Sequence, residues 1–256
     1  SLSAEWRAIL LWFFRSPFGV SDPEFGMDVS FFVFSLPVLR TALSFFLTAT
    51  FVAAAAAIAV HYIYGGISVG QRNFSVSRPA RIQLSVLAAV FVLLLGVRYW
   101  IDRYTLLVGN NERFAGASYT DVNASMPGLM ILAGISLVVA GLFIFSAFRG
   151  GWRLPVAGVA VMVVSGLVVG TAYPAIVQRF QVDPNAVEAE SEFIQRNIDA
   201  TLAAYGLQDI DTQTYQARTT AEAGQLRDDA ESTASIRILD PNIVSPTFNQ
   251  LQQNRQ

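Results

Sequence analysis

Four stretches of the chain, 41–71, 82–97, 122–148 and 154–178, contain no charged residue, and arginines stand at their borders. A helix rises about 1.5 Å per residue, so roughly 20 apolar residues cross about 30 Å of hydrocarbon; three of the stretches exceed that length. The shorter one, 82–97, lies between Arg81 and Arg98, whose stems can follow a helix and lift both guanidiniums to the interfaces. A soluble all-α protein is the competing arrangement. Its buried helices keep a polar stripe, however, and Val86–Gly96 has no polar residue on any face.

The expected fold is therefore an all-α membrane protein. Residues 1–36 form an interfacial helix and entry loop, 37–178 hold four transmembrane helices, and 179–256 form a small, acidic, mixed α/β domain outside the cytoplasm. The crossings are expected at about 37–64, 81–101, 125–148 and 153–174. Composition agrees, because 53% hydrophobic and 14% charged residues are too apolar a mixture for an ordinary soluble domain. Cysteine is absent, which excludes disulfides, thiolate metal sites, c-type haem attachment and cysteine nucleophiles.

Charge also orients the chain. Arg72, Arg78 and Arg81 after the first crossing, and Arg149 and Arg153 after the third, sit in short loops without acids, which assigns that side to the cytoplasm of a bacterial inner membrane, plasma or intracytoplasmic. The N-terminal segment, the 98–126 loop and the tail then lie on the periplasmic side. Residues 1–174 carry 11 arginines against 7 acids, and 175–256 carry 6 against 12, so the tail is an acidic, water-facing segment and nucleic acid is disfavoured.

Trp6, Trp12, Phe13 and Phe14 crowd a segment too short to span, which reads as a helix lying against lipid or a partner helix. Pro37 and Pro155 suit first turns, and Pro174 is expected to help end the fourth crossing. Gly166 and Gly170 form a GxxxG spacing that lets another helix approach closely. In the tail, Asn185 and Glu188 have capping-box spacing, Phe193, Ile194, Ile198, Leu202 and Tyr205 make an apolar stripe, and Gly206 ends the helix. Residues 210–216 and 235–239 read as strands, and Ser245-Pro246 as the start of a last short helix. Large apolar groups are few in the tail, so its core needs the membrane domain or a partner.

The search for chemistry finds no phosphate loop, nucleophile elbow or paired-histidine metal spacing. His61, the single histidine, stands near the end of the first crossing; it can shuttle a proton, ligate a chlorophyll-type magnesium or a haem, or hydrogen-bond at the interface. No charge lies near a helix centre, which argues against a proton pump, although Thr48, Thr50, Ser136 and Ser165 could line a pore. The densest polar cluster comprises Arg98, Asp102, Arg103, Glu112, Arg113 and Asp121, where ion pairs and helix capping compete with a convergent carboxylate site. Glu188, Glu190 and Glu192 alternate and read as a solvated face.

Several segments carry a family resemblance: Asp22 to Pro37, Arg103-Tyr-Thr-Leu-Leu, Gly116 to Ala124, Gln181 to Asn185, Arg196-Asn-Ile, Tyr205-Gly-Leu, Ile236 to Pro241 and Phe248 to Gln252. They resemble the uncharacterised UPF0182 family of bacterial membrane proteins. The resemblance implies several spans followed by a large outer domain, within chains much longer than this one, and it carries no established activity. Taken together, the expectation is a non-enzymatic accessory subunit of a larger membrane complex, respiratory or photosynthetic. It has no cofactor of its own; its partners are other membrane subunits and lipids, with pigments or lipids held through neighbours. The alternatives are a transporter or channel component and an outer-face ligand-binding or hydrolase module.

Overall fold

The computed structural model describes residues 6–69, 74–109, 114–151 and 153–210. Helix α1 covers Trp6–Phe13, α2 Leu36–Ile63, α3 Arg78–Thr105, α4 Met126–Arg149, α5 Arg153–Leu167, α6 Tyr173–Val177 and α7 Ala186–Ala204. Strands β1 (Ile67–Val69) and β2 (Phe74–Val76) pair antiparallel between α2 and α3, a hairpin not expected from the sequence. Four helical runs, Phe31–Ile63, Arg78–Val108, Asp121–Arg149 and Arg153–Ala204, are long and apolar enough to cross a membrane. The strands expected at 210–216 and 235–239 and the last helix lie outside the described residues. The chain divides into two compact units, Ser1–Gln208 and Asp209–Gln256, and all of these helices and strands belong to the first.

Proline governs how these runs begin and continue. Each of the π-helical turns Phe31–Ser35, Asp121–Ser125, Val168–Ala172 and Gln178–Val182 ends two residues before a proline: Pro37, Pro127, Pro174 and Pro184. A proline lacks the N–H that its preceding turn needs and crowds the carbonyl four residues back; a wider turn accommodates that defect without breaking the helix. The helix therefore does not stop at Pro174, the proline expected to help end the fourth crossing. The helical run passes it and continues to Ala204 as one 52-residue element. Pro155 does sit in the first turn of α5, fully buried.

The membrane helices pack in sequence order and antiparallel: α2 on α3, α3 on α4 and α4 on α5. A small cluster of Ala89, Val92, Val139, Ala140 and Phe143 forms the centre, with Ile135 and Met162 against it. Three glycines on the long helices sit where a neighbouring helix leaves no room for a side chain. A methyl group at Gly96 would meet Ser136 Cβ at 3.0 Å, one at Gly128 the Val169 carbonyl at 3.0 Å, and one at Gly158 the Leu142 and Val139 side chains at 3.2 and 3.3 Å. The GxxxG pair is not such a contact within this chain. Among the described residues, Gly166 has nothing within 4 Å of its Cβ position, and Gly170 only the Leu132 methyl at 3.6 Å.

Candidate functional site

The molecule has two ends. At one, which we call the hairpin end, β1 and β2 connect α2 to α3, and His61 Nε2 bonds Gln83 Oε1 at 2.9 Å, joining the same two helices. The single histidine thus has a structural partner. Nearby, the Arg81 guanidinium lies over Gly150, at the carbonyl terminus of α4, where a cation is favoured. Gly150 adopts φ +80°, and Ser146 Oγ donates to the Gly151 carbonyl at 2.7 Å, which together close the short turn.

The opposite, α7 end is where most long-range polar contacts converge. The segment after α1 folds into a tight loop around two aspartates. Asp22 accepts the amides of Glu24 and Phe25 at 3.1 and 2.6 Å, and Gly26 turns the chain at φ +65°. Asp28 accepts the amides of Phe18, Gly19 and Ser30 at 3.1, 2.9 and 2.8 Å; the Ser30 hydroxyl first, and then these amides, lower its pKa to about 2.

That loop delivers Phe25 and Phe31 to the end of α3, where both rings pack on Tyr104 with centroids 4.7 and 5.4 Å away. Arg103 is the centre of this arrangement. From sequence it belongs to a polar loop with ion-pair partners, but it lies within α3, 7% exposed. Its guanidinium stacks 3.6 Å from the Trp100 ring centroid and 5.9 Å from Phe25, and its Nε donates to the Trp100 carbonyl at 3.2 Å. A delocalised guanidinium is weakly hydrated and satisfied by aromatic faces where an ammonium would not be.

The other cluster members separate. Asp102 pairs with Arg98 at 3.5 Å and Arg40 at 3.9 Å. Asp121 instead caps the start of its own helical run, accepting the Ser118 amide and hydroxyl at 3.0 and 2.8 Å. Glu112 and Arg113 lie outside the described residues. Asp102 and Asp121 are thus committed to different partners, and among the described residues no group of three His, Asp or Glu side chains is placed to hold a metal ion. Two of the hydroxyls considered for a pore return to their own helices: Thr48 donates to Ser44 O at 2.8 Å and Ser136 to Leu132 O at 2.7 Å.

Helix α7 docks on this end through three polar contacts, and the π-helical turn at Gln178 adds a fourth. Glu190 accepts the Tyr119 amide at 3.0 Å, Thr120 donates to Gln178 at 2.6 Å, Asn197 donates to the Ala115 carbonyl at 2.7 Å, and Arg196 reaches Glu24 at 3.4 Å. Two sequence expectations change here. Glu190 is not on a solvated face but 3% exposed, whereas Glu192 remains outside and pairs with Arg196. Asn185 forms no capping box, since its amide bonds the Glu188 carboxylate and no helix N–H. Of the apolar stripe, Phe193 meets Tyr119 edge-on at 6.4 Å while Ile198 and Tyr205 stay exposed, and Gly206 ends the helix at φ +65°. Trp6, Phe13 and Phe14 are exposed, and α1 contains no buried residue.

The segments that meet here, Asp22 to Pro37, Arg103 onward, Gly116 to Ala124 and Arg196 onward, are among those that carried the family resemblance. The model of an uncharacterised protein family, UPF0182, matches residues 1–256. The chain belongs to this family. UPF0182 proteins from Kocuria rhizophila, Clavibacter sepedonicus and Paenarthrobacter aurescens are 46%, 47% and 48% identical to it, over 100%, 100% and 99% of the chain. The chain spans about a quarter of the length of these curated relatives: 26%, 27% and 25%. No solved structure matches it. UPF0182 membership agrees with the four apolar helices of a membrane protein.

Proposed function

We propose that this UPF0182 segment is a non-catalytic packing module, an accessory or structural part of a larger membrane assembly. The observation that carries the reading is the row of helices. The main helix neighbour of α2 is α3 and that of α5 is α4, so a broad face of each outer helix is left for something else to cover. Phe46, Phe51 and Val52 on α2, and Val161, Val163 and Val164 on α5, are all more than half exposed. The polar residues at the α7 end support the same reading, because the long-range bonds of Glu190, Gln178, Asn197 and Arg196 tie segments of the chain to one another. In the relatives, most of the length lies outside the matched portion, which supplies material to cover these faces. By the distribution of arginines, the hairpin end faces the cytoplasm and the α7 end the outer side.

The test is photo-crosslinking in the native membrane from a benzophenone amino acid at Phe51, with the full-length protein extracted in mild detergent and its adducts identified by mass spectrometry. The expected adducts are peptides, from the protein's own remaining length or from a stable companion. A monodisperse monomer with no companion, crosslinked at Phe51 only to lipid, overturns the proposal.

A further inference from the structure

An open cleft of about 940 Å³ lies between α2 and α3 at the α7 end. That volume is at the upper part of the range, roughly 300–1,000 Å³, in which proteins hold small molecules. Its apolar wall includes Leu36, Leu43 and Ile101, and Arg40, Arg98 and Asp102 supply its charge. Among the described residues its charges do not balance, because two guanidiniums share one carboxylate. Both ion pairs are long and made through Nε, at 3.9 Å from Arg40 and 3.5 Å from Arg98, so the Nη groups of both arginines remain for another acceptor. Each arginine is more than half exposed. A planar guanidinium fork matches the oxygens of a phosphate, which is the usual partner of such a pair.

Position selects the kind of phosphate. Arg40 stands in the second turn of α2 and Arg98 in the last third of α3, both on helices long and apolar enough to span a membrane. Each borders a charge-free stretch, 41–71 or 82–97, which is where a spanning helix meets the lipid headgroups, and the apolar wall continues along those stretches. We propose that the cleft binds one anionic phospholipid, its phosphate between Arg40 and Arg98 and an acyl chain against Leu43 and Ile101. Asp102 holds the two arginines near each other while leaving one positive charge for the lipid. This site stands whether or not the segment serves as a packing module.

The test is native mass spectrometry of the full-length protein in detergent, exposed in turn to phosphatidylglycerol, to phosphatidylcholine with the same acyl chains, and to inorganic phosphate. The wild type is expected to retain one phosphatidylglycerol and little phosphatidylcholine. Arg40→Gln and Arg98→Gln are each expected to weaken retention about tenfold, the effect of losing one charge-assisted hydrogen bond. Ser44 also lines the cleft and is exposed, so Ser44→Trp keeps the charges, fills the space and is expected to expel the lipid even if an arginine variant fails to fold. Arg153→Gln, at the hairpin end, is expected to change nothing. Equal retention of the two lipids, or phosphatidylglycerol retention unaltered in Ser44→Trp, overturns the proposal. So does a phosphate adduct with no retained lipid, which marks an anion site only.

Discussion

Replacing Glu190 with alanine is expected to loosen α7 without unfolding the membrane helices. The Glu190 carboxylate, 3% exposed, accepts the amide of Tyr119, the first residue of the helical run that becomes α4. An amide at that position has no partner inside its own helix, and the positive end of the helix dipole favours a carboxylate beside it. A hydrogen bond to a charged group contributes about 1.5–3 kcal/mol, which becomes a rise of about 10–150-fold in the equilibrium for opening α7. The Asn197 contact and, just before α7, that of Gln178 survive in the variant, so α7 opens more often and does not detach. Arg196 with Glu24 adds little, since a half-exposed pair contributes about 0–1 kcal/mol. Glu190→Gln keeps an oxygen acceptor and loses the charge, so it is expected to fall between the two. Hydrogen exchange on the full-length protein in detergent reads the effect directly, through peptides covering 186–204 and Tyr119. Acceleration confined to those peptides, in the order wild type, glutamine, alanine, is the expected result. Unchanged exchange in the alanine variant, or uniform acceleration throughout α3 and α4, refutes the reasoning.

Gly96→Val is expected to separate α3 from α4 at a cost of about 1–3 kcal/mol, seen as a lower midpoint of thermal unfolding in detergent, because the new side chain meets Ser136 at 3.0 Å. Gly166→Ala, in open space, is expected to leave that midpoint unchanged or slightly raised, by up to about 1 kcal/mol of helix propensity. Asp28 has a folded pKa of about 2, below its ordinary 3.8, so its contribution is complete above about pH 4 and lost as pH falls toward 2. Exchange protection of residues 18–30 is expected to decline over that window, and Asp28→Asn to remove the decline along with the protection. Arg103→Lys is expected to destabilise by about 0.5–2 kcal/mol despite keeping its charge, since a compact ammonium cannot stack on Trp100 as the planar group does; thermal unfolding beside an Arg98→Lys control measures it.

The residues of the α7 end show what reading the chain linearly misses. Glu190 sits between Glu188 and Glu192 in an alternating run, and no local pattern distinguishes the middle carboxylate from its solvated neighbours. It is buried because α7 lies against Tyr119, 71 residues earlier in the chain. Arg103 is ambiguous in sequence for a similar reason, and only the folding back of residues 18–30 adds Phe25 to the aromatic faces of Trp100 and Tyr104. Pro174 misleads in the other direction. Its local effect is real, but a π-helical turn absorbs it and the helix goes on.

Membrane location and the number of apolar helices were legible in the sequence, because both depend on the run length of uncharged residues against a bilayer of given thickness. So were the first-turn role of Pro155 and the αL turn at Gly206, since each follows from the covalent geometry of one residue. Tertiary structure decided which glycines mark close approach, which carboxylate is buried, and that Arg40 and Arg98 share Asp102 beside a cleft. Those properties depend on which residues distant in sequence become neighbours. An apolar helix has no local preference among its faces, so only packing selects one.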